Sequence, residues 1–174
     1  GTGKTTLGRA VADQLDRPFV DMDELIEARA GKSIPRIFEE EGEAAFRALE
    51  SRLCRELSER SGLVIATGGG ALTDPVNRSV MSRDATVVCL DADVDEILER
   101  VGDGEERPML HGASPRQDVE RLLKRRARAY AAIPWQLPTT GRSVGDLVPE
   151  LVRLSEVQSL PVSYPDGHYN IHIG

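Results

Sequence analysis

The chain has 174 residues, 40% of them hydrophobic and 29% charged, which is the balance of one globular domain with a short addition and enough length to bury a core without disulfides or metal. Its net charge of −7 and pI near 5.1 argue against nucleic acid as a partner, since phosphate backbones select basic surfaces; an anionic ligand has to be held by a few placed cations. No apolar run reaches the roughly 18 residues of a membrane span, and Cys54 and Cys89 have neither metal-site nor disulfide-framework spacing, so the expected setting is the reducing cytoplasm, with no membrane partner.

From Lys4 to Leu15 the apolar residues Leu7, Val11 and Leu15 recur at helical spacing, and Pro18 to Asp23 reads as a short strand ending in acids. A helix from Glu24 to Ala30 stops at Gly31. Ser33, as N-cap, and Pro35, in the first turn, open a long helix running to about Arg60. Leu63 to Thr67 is the next strand, closed by Gly68, Gly69 and Gly70. Asp74-Pro75 begins a short helix, Ala85 to Leu90 is an apolar strand, and Asp93 to Val101 is helical. Gly102 to Ser114 is polar and Gly-rich and reads as a mobile loop, followed by a basic helix from about Pro115 to Ile133. Gln136 to Thr140 is a weak last strand because of Pro138, and Ser143 to Leu154 closes the domain as a helix. Such alternation predicts an α/β fold of three layers, with a parallel sheet between helices.

The opening Gly1-Thr-Gly-Lys-Thr-Thr6 matches the end of the phosphate-loop pattern G-x-x-x-x-G-K-[ST], with Gly3, Lys4 and Thr5 in the diagnostic places. Backbone N–H groups of Gly1, Thr2, Gly3 and Thr6 are of the kind that close around phosphate oxygens. Lys4 can reach the β- and γ-phosphates, the Thr5 hydroxyl can meet Mg²⁺, and the helix start supplies its dipole. The same six residues could also be a plain Gly-rich turn before a helix. On the phosphate-loop reading the first glycine and the central strand of the sheet fall before residue 1, so the sheet is expected to be gapped or distorted there.

Asp21 and Asp23 alternate along the acidic strand end, which puts both on one side at the carboxyl edge where open α/β sheets bind ligands. One could serve Mg²⁺ and the other a substrate hydroxyl; alternatively they simply cap the following helix. Gly68 to Gly70 are either a flexible turn or a place where backbone must approach a small ligand. Arg47 on a helix and Arg107 in a polar loop read equally as solvated surface, and Arg126 lies in a run of cations with Lys124, Arg125 and Arg128.

The segments GTGKTT, FVDMDELIE, SIPRIFEEEGEAAFRALE, ATGGGAL, RPML and KRRARAY stand in the order and spacing of shikimate kinase, and residues 1–154 resemble that family. The resemblance implies a P-loop kinase using ATP and Mg²⁺ to phosphorylate the 3-hydroxyl of shikimate, in a unit acting as a monomer. It assigns ATP phosphates to Lys4 and Thr5, the metal to Thr5 and Asp21, and the acceptor hydroxyls to Asp23. Arg47 and Arg126 match the pair of arginines that clamp the shikimate carboxylate, Gly68 to Gly70 the backbone that approaches the acceptor, and Arg107 the lid arginine at the transferring phosphoryl group. Arg142 loosely matches a nucleotide-stacking arginine. These assignments make chemical sense: an arginine fork pairs bidentately with a carboxylate, and phosphoryl transfer needs positioning and charge neutralisation more than a strong base.

Without the resemblance, the residues reach only a P-loop kinase for a small anionic acceptor, which leaves gluconate and nucleoside monophosphate kinases as rivals, and a non-catalytic kinase-like scaffold as a different class. Residues 155–160 read as a linker. Residues 161–174 alternate apolar and polar around Asp166-Gly167 as a strand or hairpin does, and resemble the opening strands of 3-dehydroquinate synthase, which implies a fused two-enzyme polypeptide. His168 and His172 there are either a metal pair or, as the simpler reading, a solvated strand face.

Overall fold

The computed structural model describes residues 2–101, 114–156, 160–164 and 167–171. Helix α1 (Lys4–Leu15) begins directly after Gly3, whose φ of 84° is left-handed and open to glycine at no steric cost. Its buried stripe, Leu7, Val11 and Ala12, follows the helical period. Strand β1 (Phe19–Asp21) runs parallel to β2 (Val64–Ala66), with Phe19 opposite Val64 and Asp21 opposite Ala66. Strand β3 (Val88–Asp91) runs parallel to β4 (Trp135–Pro138). The weak last strand therefore exists, and Pro138 is its final residue, opposite Asp91, where a missing N–H disturbs the ladder least.

Among the described residues the parallel strands form two separate pairs, β1-β2 and β3-β4, instead of one continuous sheet. Both pairs nevertheless contribute to one apolar core, in which Leu7 and Val11 of α1 meet Leu137 of β4 and Leu147 and Val148 of α7 (Val144–Glu156), with Val64 of β2 and Val88 and Leu90 of β3 packed against them. A larger core gathers Met22 and Ile26 of α2 (Met22–Ala30) with Ile37, Phe46, Leu53 and Leu57 of α3 (Ile34–Ser58). Helix α4 (Pro75–Met81), capped by Asp74, closes that core through Met81. Helices α5 (Val94–Val101) and α6 (Pro115–Ala131) meet through Ile97 and Val119. Met22 and Ile37 are 0% exposed, and each such side chain contributes about 1.5–3 kcal/mol of transfer free energy.

Three local expectations change. Helix α2 starts two residues early, at Met22, because the Asp21 carboxylate accepts from the backbone N–H groups of Asp23 and Glu24. Helix α3 is interrupted at Gly42, whose φ of 82° and ψ of 171° are not helical, so the single long helix is two segments joined at a glycine. Its N-terminus is not capped by the Ser33 side chain; Glu27 Oε1, from the preceding helix, accepts from Ile34 N at 2.7 Å instead. Past α7, which runs two residues into the expected linker, β5 (Leu160–Tyr164) and β6 (Gly167–Ile171) form the antiparallel hairpin that the alternation predicts. Cys54 and Cys89 are free thiols, and burial pushes the Cys54 thiol up to about 11. Among the described residues no helix is long and apolar enough to cross a membrane.

Gly8 carries a packing constraint that its sequence context hides. A Cβ there would lie 2.5 Å from Cε2 of Phe19, whose ring also takes the Arg9 guanidinium at 4.9 Å from its centroid. Alanine ordinarily gains about 1 kcal/mol over glycine inside a helix, whereas overpacking costs about 1–3 kcal/mol. Gly8→Ala is therefore expected to lower stability by about 1 kcal/mol in urea denaturation, opposite in sign to the helix-propensity effect.

Candidate functional site

The carboxyl ends of β1 and β2 lie level with each other, Asp21 opposite Ala66, and the N-terminus of α1 faces them. Between them lies a cavity of about 510 Å³, whose wall includes the loop residues Thr2 to Thr6 together with Asp21 and Asp23. Thr5 Oγ1 donates to Asp21 Oδ2 at 2.7 Å, while Asp21 Oδ1 caps α2. Strand alternation is thus not what brings the two acids together. Asp21 ends the strand and caps the helix, and Asp23 already belongs to the first helical turn. The capping reading of this pair holds through Asp21 Oδ1, while Asp21 Oδ2 meets the Thr5 hydroxyl on the cavity wall.

The turn after β2 is the second half of the site. A Cβ on Gly68 would lie 2.6 Å from Asp23 Oδ1 and 2.8 Å from Glu50 Oε1; on Gly69 it would meet Arg126 Nη1 at 3.3 Å; on Gly70 it would overlap the Arg47 guanidinium, with Cζ at 2.9 Å. None of the three has a positive φ, so it is crowding by the charged side chains, closest at Gly68 and Gly70, and not backbone geometry that favours glycine here. Arg126 and Tyr130, four residues apart on α6, share a face. Arg126 Nη1 donates to the Gly69 carbonyl at 3.0 Å and to Tyr130 Oη at 3.3 Å, and Tyr130 Oη donates to the same carbonyl at 2.7 Å. The spacing that singled Arg126 out of its basic run is a physical contact.

Arg47 is held by two acids of its own helix. Glu43 Oε1 accepts from Nη2 at 3.0 Å on the exposed side, and Glu50 Oε2 accepts from Nη1 at 2.6 Å on the buried side. Glu50 is 1% exposed, and its Oε1 has no hydrogen-bond partner among the described residues. Burial pushes the Glu50 carboxyl above its ordinary range; Arg47 pulls against this, Asp23 adds to it, and Arg126 opposes it. Arg142 also lines the cavity and is anchored by Glu150 at 2.7 Å and by the Pro138 carbonyl at 3.2 Å.

Gly1 and Arg107 lie outside the described residues, as do residues 102–113 of the expected lid. Three contributors were not read from the sequence. Arg100 lines the cavity, 4.0 Å from where a Cβ of Gly3 would be, and pairs with Glu96. Tyr130 was used only as a spacing mark. Glu50 had a signal: Phe46, Glu50, Leu53, Cys54 and Leu57 are the buried stripe of α3, so an acid occupies a core position.

The family model described as "Shikimate kinase" matches residues 1–153. The chain is 45% identical over 149 residues to a protein of Burkholderia pseudomallei named shikimate kinase, covering 85% of this chain and 81% of that one. It is 42% identical over 151 residues to the shikimate kinase of Geobacter sulfurreducens, covering 87% and 83%. Among solved structures, shikimate kinase from Acinetobacter baumannii in complex with shikimate superposes with a TM-score of 0.84 at 39% identity, covering 88% of this chain and 86% of that one. The enzyme from Aquifex aeolicus gives 0.72 at 32% identity, covering 87% and 88%.

The double duty of Asp21 is separable by substitution. Asn caps a helix about as well as Asp, whereas loss of an N-cap costs about 0.5–2 kcal/mol. In urea denaturation of the ligand-free protein, Asp21→Ala is expected to lose about 1–2 kcal/mol and Asp21→Asn only a few tenths. Equal losses would mean that the cap is not what holds this end of α2.

Proposed function

The chain belongs to the shikimate kinase family, and from that premise we propose how its groups divide the transfer of the γ-phosphoryl of ATP to the 3-hydroxyl of shikimate. The observation that carries the reading is the convergence of Asp23, Arg47 and Arg126 on the side-chain-free turn Gly68–Gly70, beside the loop Thr2–Thr6. A phosphate-binding loop alone fits many acceptors. Two arginines and a carboxylate around one turn fit a small acid that also bears hydroxyls. Gluconate, a nucleoside monophosphate and a non-catalytic scaffold are not favoured by the family membership.

The backbone of Thr2 to Thr6 and Lys4 would hold the ATP phosphates at the positive end of the α1 dipole. Arg100 and Arg142, already fixed by Glu96 and Glu150, would meet the nucleotide from the same cavity. Arg47 and Arg126 would clamp the shikimate carboxylate, and Asp23 would orient its hydroxyl. As the bond between the γ-phosphorus and its bridging oxygen breaks, the acceptor oxygen bonds to phosphorus, and Asp23 receives the hydroxyl proton late, because a loose transition state leaves it on the oxygen until bonding is advanced. The products are ADP and shikimate 3-phosphate. Arg107 is the proposed cation for the transferring group, on the strength of the RPML match alone.

Thr5 and Asp21 offer a hydroxyl and a carboxylate oxygen 2.7 Å apart, the hard oxygen donors that Mg²⁺ takes alongside phosphate and water. Bound there with ATP, Mg²⁺ would neutralise phosphate charge. The free thiols fit a cytoplasmic setting, and we also propose that the hairpin β5-β6, after the family-matched residues, opens a second unit resembling 3-dehydroquinate synthase.

The test is ADP release with and without shikimate in a coupled assay. Turnover is expected to require shikimate and to fall by at least about 10²-fold in Asp23→Asn. ADP release indifferent to shikimate would overturn the acceptor assignment. Gly70→Ala, which pushes the Arg47 guanidinium off its place, is expected to raise the KM for shikimate by about tenfold with a smaller change in kcat, as read from initial-rate kinetics.

A further inference from the structure

One wall of the cavity carries two cations from distant parts of the chain, Arg100 on α5 and Arg142 in the turn between β4 and α7. A single carboxylate joins these parts. Glu96 Oε1 accepts from Arg100 Nη2 one helical turn away, while Glu96 Oε2 accepts from the backbone N–H of Gly141 at 3.2 Å, across 45 residues of chain. Gly141 has a left-handed φ of 68° and immediately precedes Arg142. Two hydroxyls close the same seam. Thr139 is 0% exposed and donates its one hydroxyl proton to the Asp91 carbonyl at 2.9 Å, so a lone pair is what meets Arg100 Nη1 at 3.4 Å. Thr140 Oγ1 accepts from Asp93 N at 2.8 Å, just before α5.

We infer that Glu96 is a positioning residue for the nucleotide, holding Arg100 and the turn that carries Arg142 in one fixed relation before ATP arrives. This rests on the nucleotide reading proposed above. A plain glutamate–arginine pair at (i, i+4) on a helix surface is the simpler account, and such a pair contributes little. Two observations go against it. The Glu96 side chain is only 19% exposed, and its second oxygen leaves its own helix to hold another element. Both oxygens belong to one planar group, so Arg100 and Gly141 cannot shift relative to each other without breaking one of the two contacts.

Gly141 gains no hold from packing, since a Cβ there would meet nothing within 4 Å, and at this point the N–H bond to Glu96 is the tie to α5. Arg100 stands in the last turn of α5, where its direction is set by Glu96 and Thr139. A cation whose direction is set before binding loses less entropy when its ligand arrives. Loss of Glu96 therefore acts on nucleotide affinity through two cations at once. It leaves the acceptor side alone, because Arg47 and Arg126 have holders of their own.

The test titrates ADP with Mg²⁺ into the shikimate-free protein by calorimetry, and follows initial rates, for wild type, Glu96→Ala, Glu96→Gln, Arg100→Ala and the double variant Glu96→Ala/Arg100→Ala. Glu96→Ala is expected to weaken ADP binding and raise the KM for ATP by about tenfold, with kcat and the KM for shikimate within about twofold of wild type. Glutamine keeps an acceptor for Gly141 but no charge for Arg100, and should lose about threefold. In the Arg100→Ala background, Glu96→Ala should still cost about threefold, because the hold on the Arg142 turn remains to be lost. Unchanged ADP affinity in Glu96→Ala overturns the proposal. So does a double variant no worse than Arg100→Ala, which would confine Glu96 to a pair within its own helix. Lys4→Ala separates the proposal from the reading beneath it. If that variant loses ADP while Glu96→Ala keeps it, the positioning role alone fails; if it binds ADP like wild type, the nucleotide reading fails and takes the positioning role with it.

Discussion

Steric crowding at Gly68–Gly70 is the constraint on which the site depends. Charged side chains from α2, α3 and α6 press onto one turn after β2, each within the distance that a single methyl group would occupy. Crowding of this kind does not follow from backbone preference, since none of the three glycines has a positive φ. It follows from where the helices sit. Met22, Ile26, Phe46, Leu53 and Leu57 bury one face of α2 and α3 in the same core, and that packing sets how closely Asp23, Arg47 and Glu50 approach the turn. The apolar core is therefore the positioning device for the polar site, and cores resist compression.

Charge is handled in the same economical way. A chain of net charge −7 places Lys4, Arg47, Arg100, Arg126 and Arg142 around its cavity and the neighbouring turn. Unpaired, such cations would repel one another and sample many rotamers. Glu43 and Glu50 hold Arg47, Glu96 holds Arg100, and Glu150 holds Arg142, while Arg126 is aimed by a carbonyl and by Tyr130. Exposed ion pairs of this type contribute little to stability. Their effect here is on orientation: a fork already fixed in direction loses less entropy when a carboxylate or phosphate arrives.

Much of this was legible in the sequence because it is written in local periods. The helical spacing of Leu7 and Val11, the cap Asp74 before Pro75, and the glycine-bounded strand at Val64–Ala66 all depend on near neighbours. Boundaries slipped where a tertiary contact or a single glycine decided them. Glu27 replaced Ser33 at the start of α3, Gly42 broke that helix within an unbroken helical pattern, and the Asp21 cap drew α2 back to Met22. Arg126 could be picked out because Tyr130 lies one turn away on the same helix. Arg100 could not, because what brings it to Gly3 is the packing of α5, and no short-range pattern records that. Glu50 was visible as an acid on a core stripe, but only the structure shows that it holds Arg47 and closes on the space beside Gly68.

Asp21 shows why structural and functional readings of one residue need not compete. A capping carboxylate uses one oxygen for the helix N-terminus, and here that is Oδ1, reached by the N–H groups of Asp23 and Glu24. The other oxygen is then fixed in direction by the same geometry, and it points at the Thr5 hydroxyl of the phosphate-binding loop. Because the cap sets the first turn of α2, it also sets the position of Asp23 two residues on. A single carboxylate thus ties the loop before α1, the strand end and the first turn of α2 that carries Asp23 together, which is the kind of rigidity that the proposed in-line transfer would need. The folding signal and the proposed chemical role coincide at this position because each needs the same backbone held in the same place.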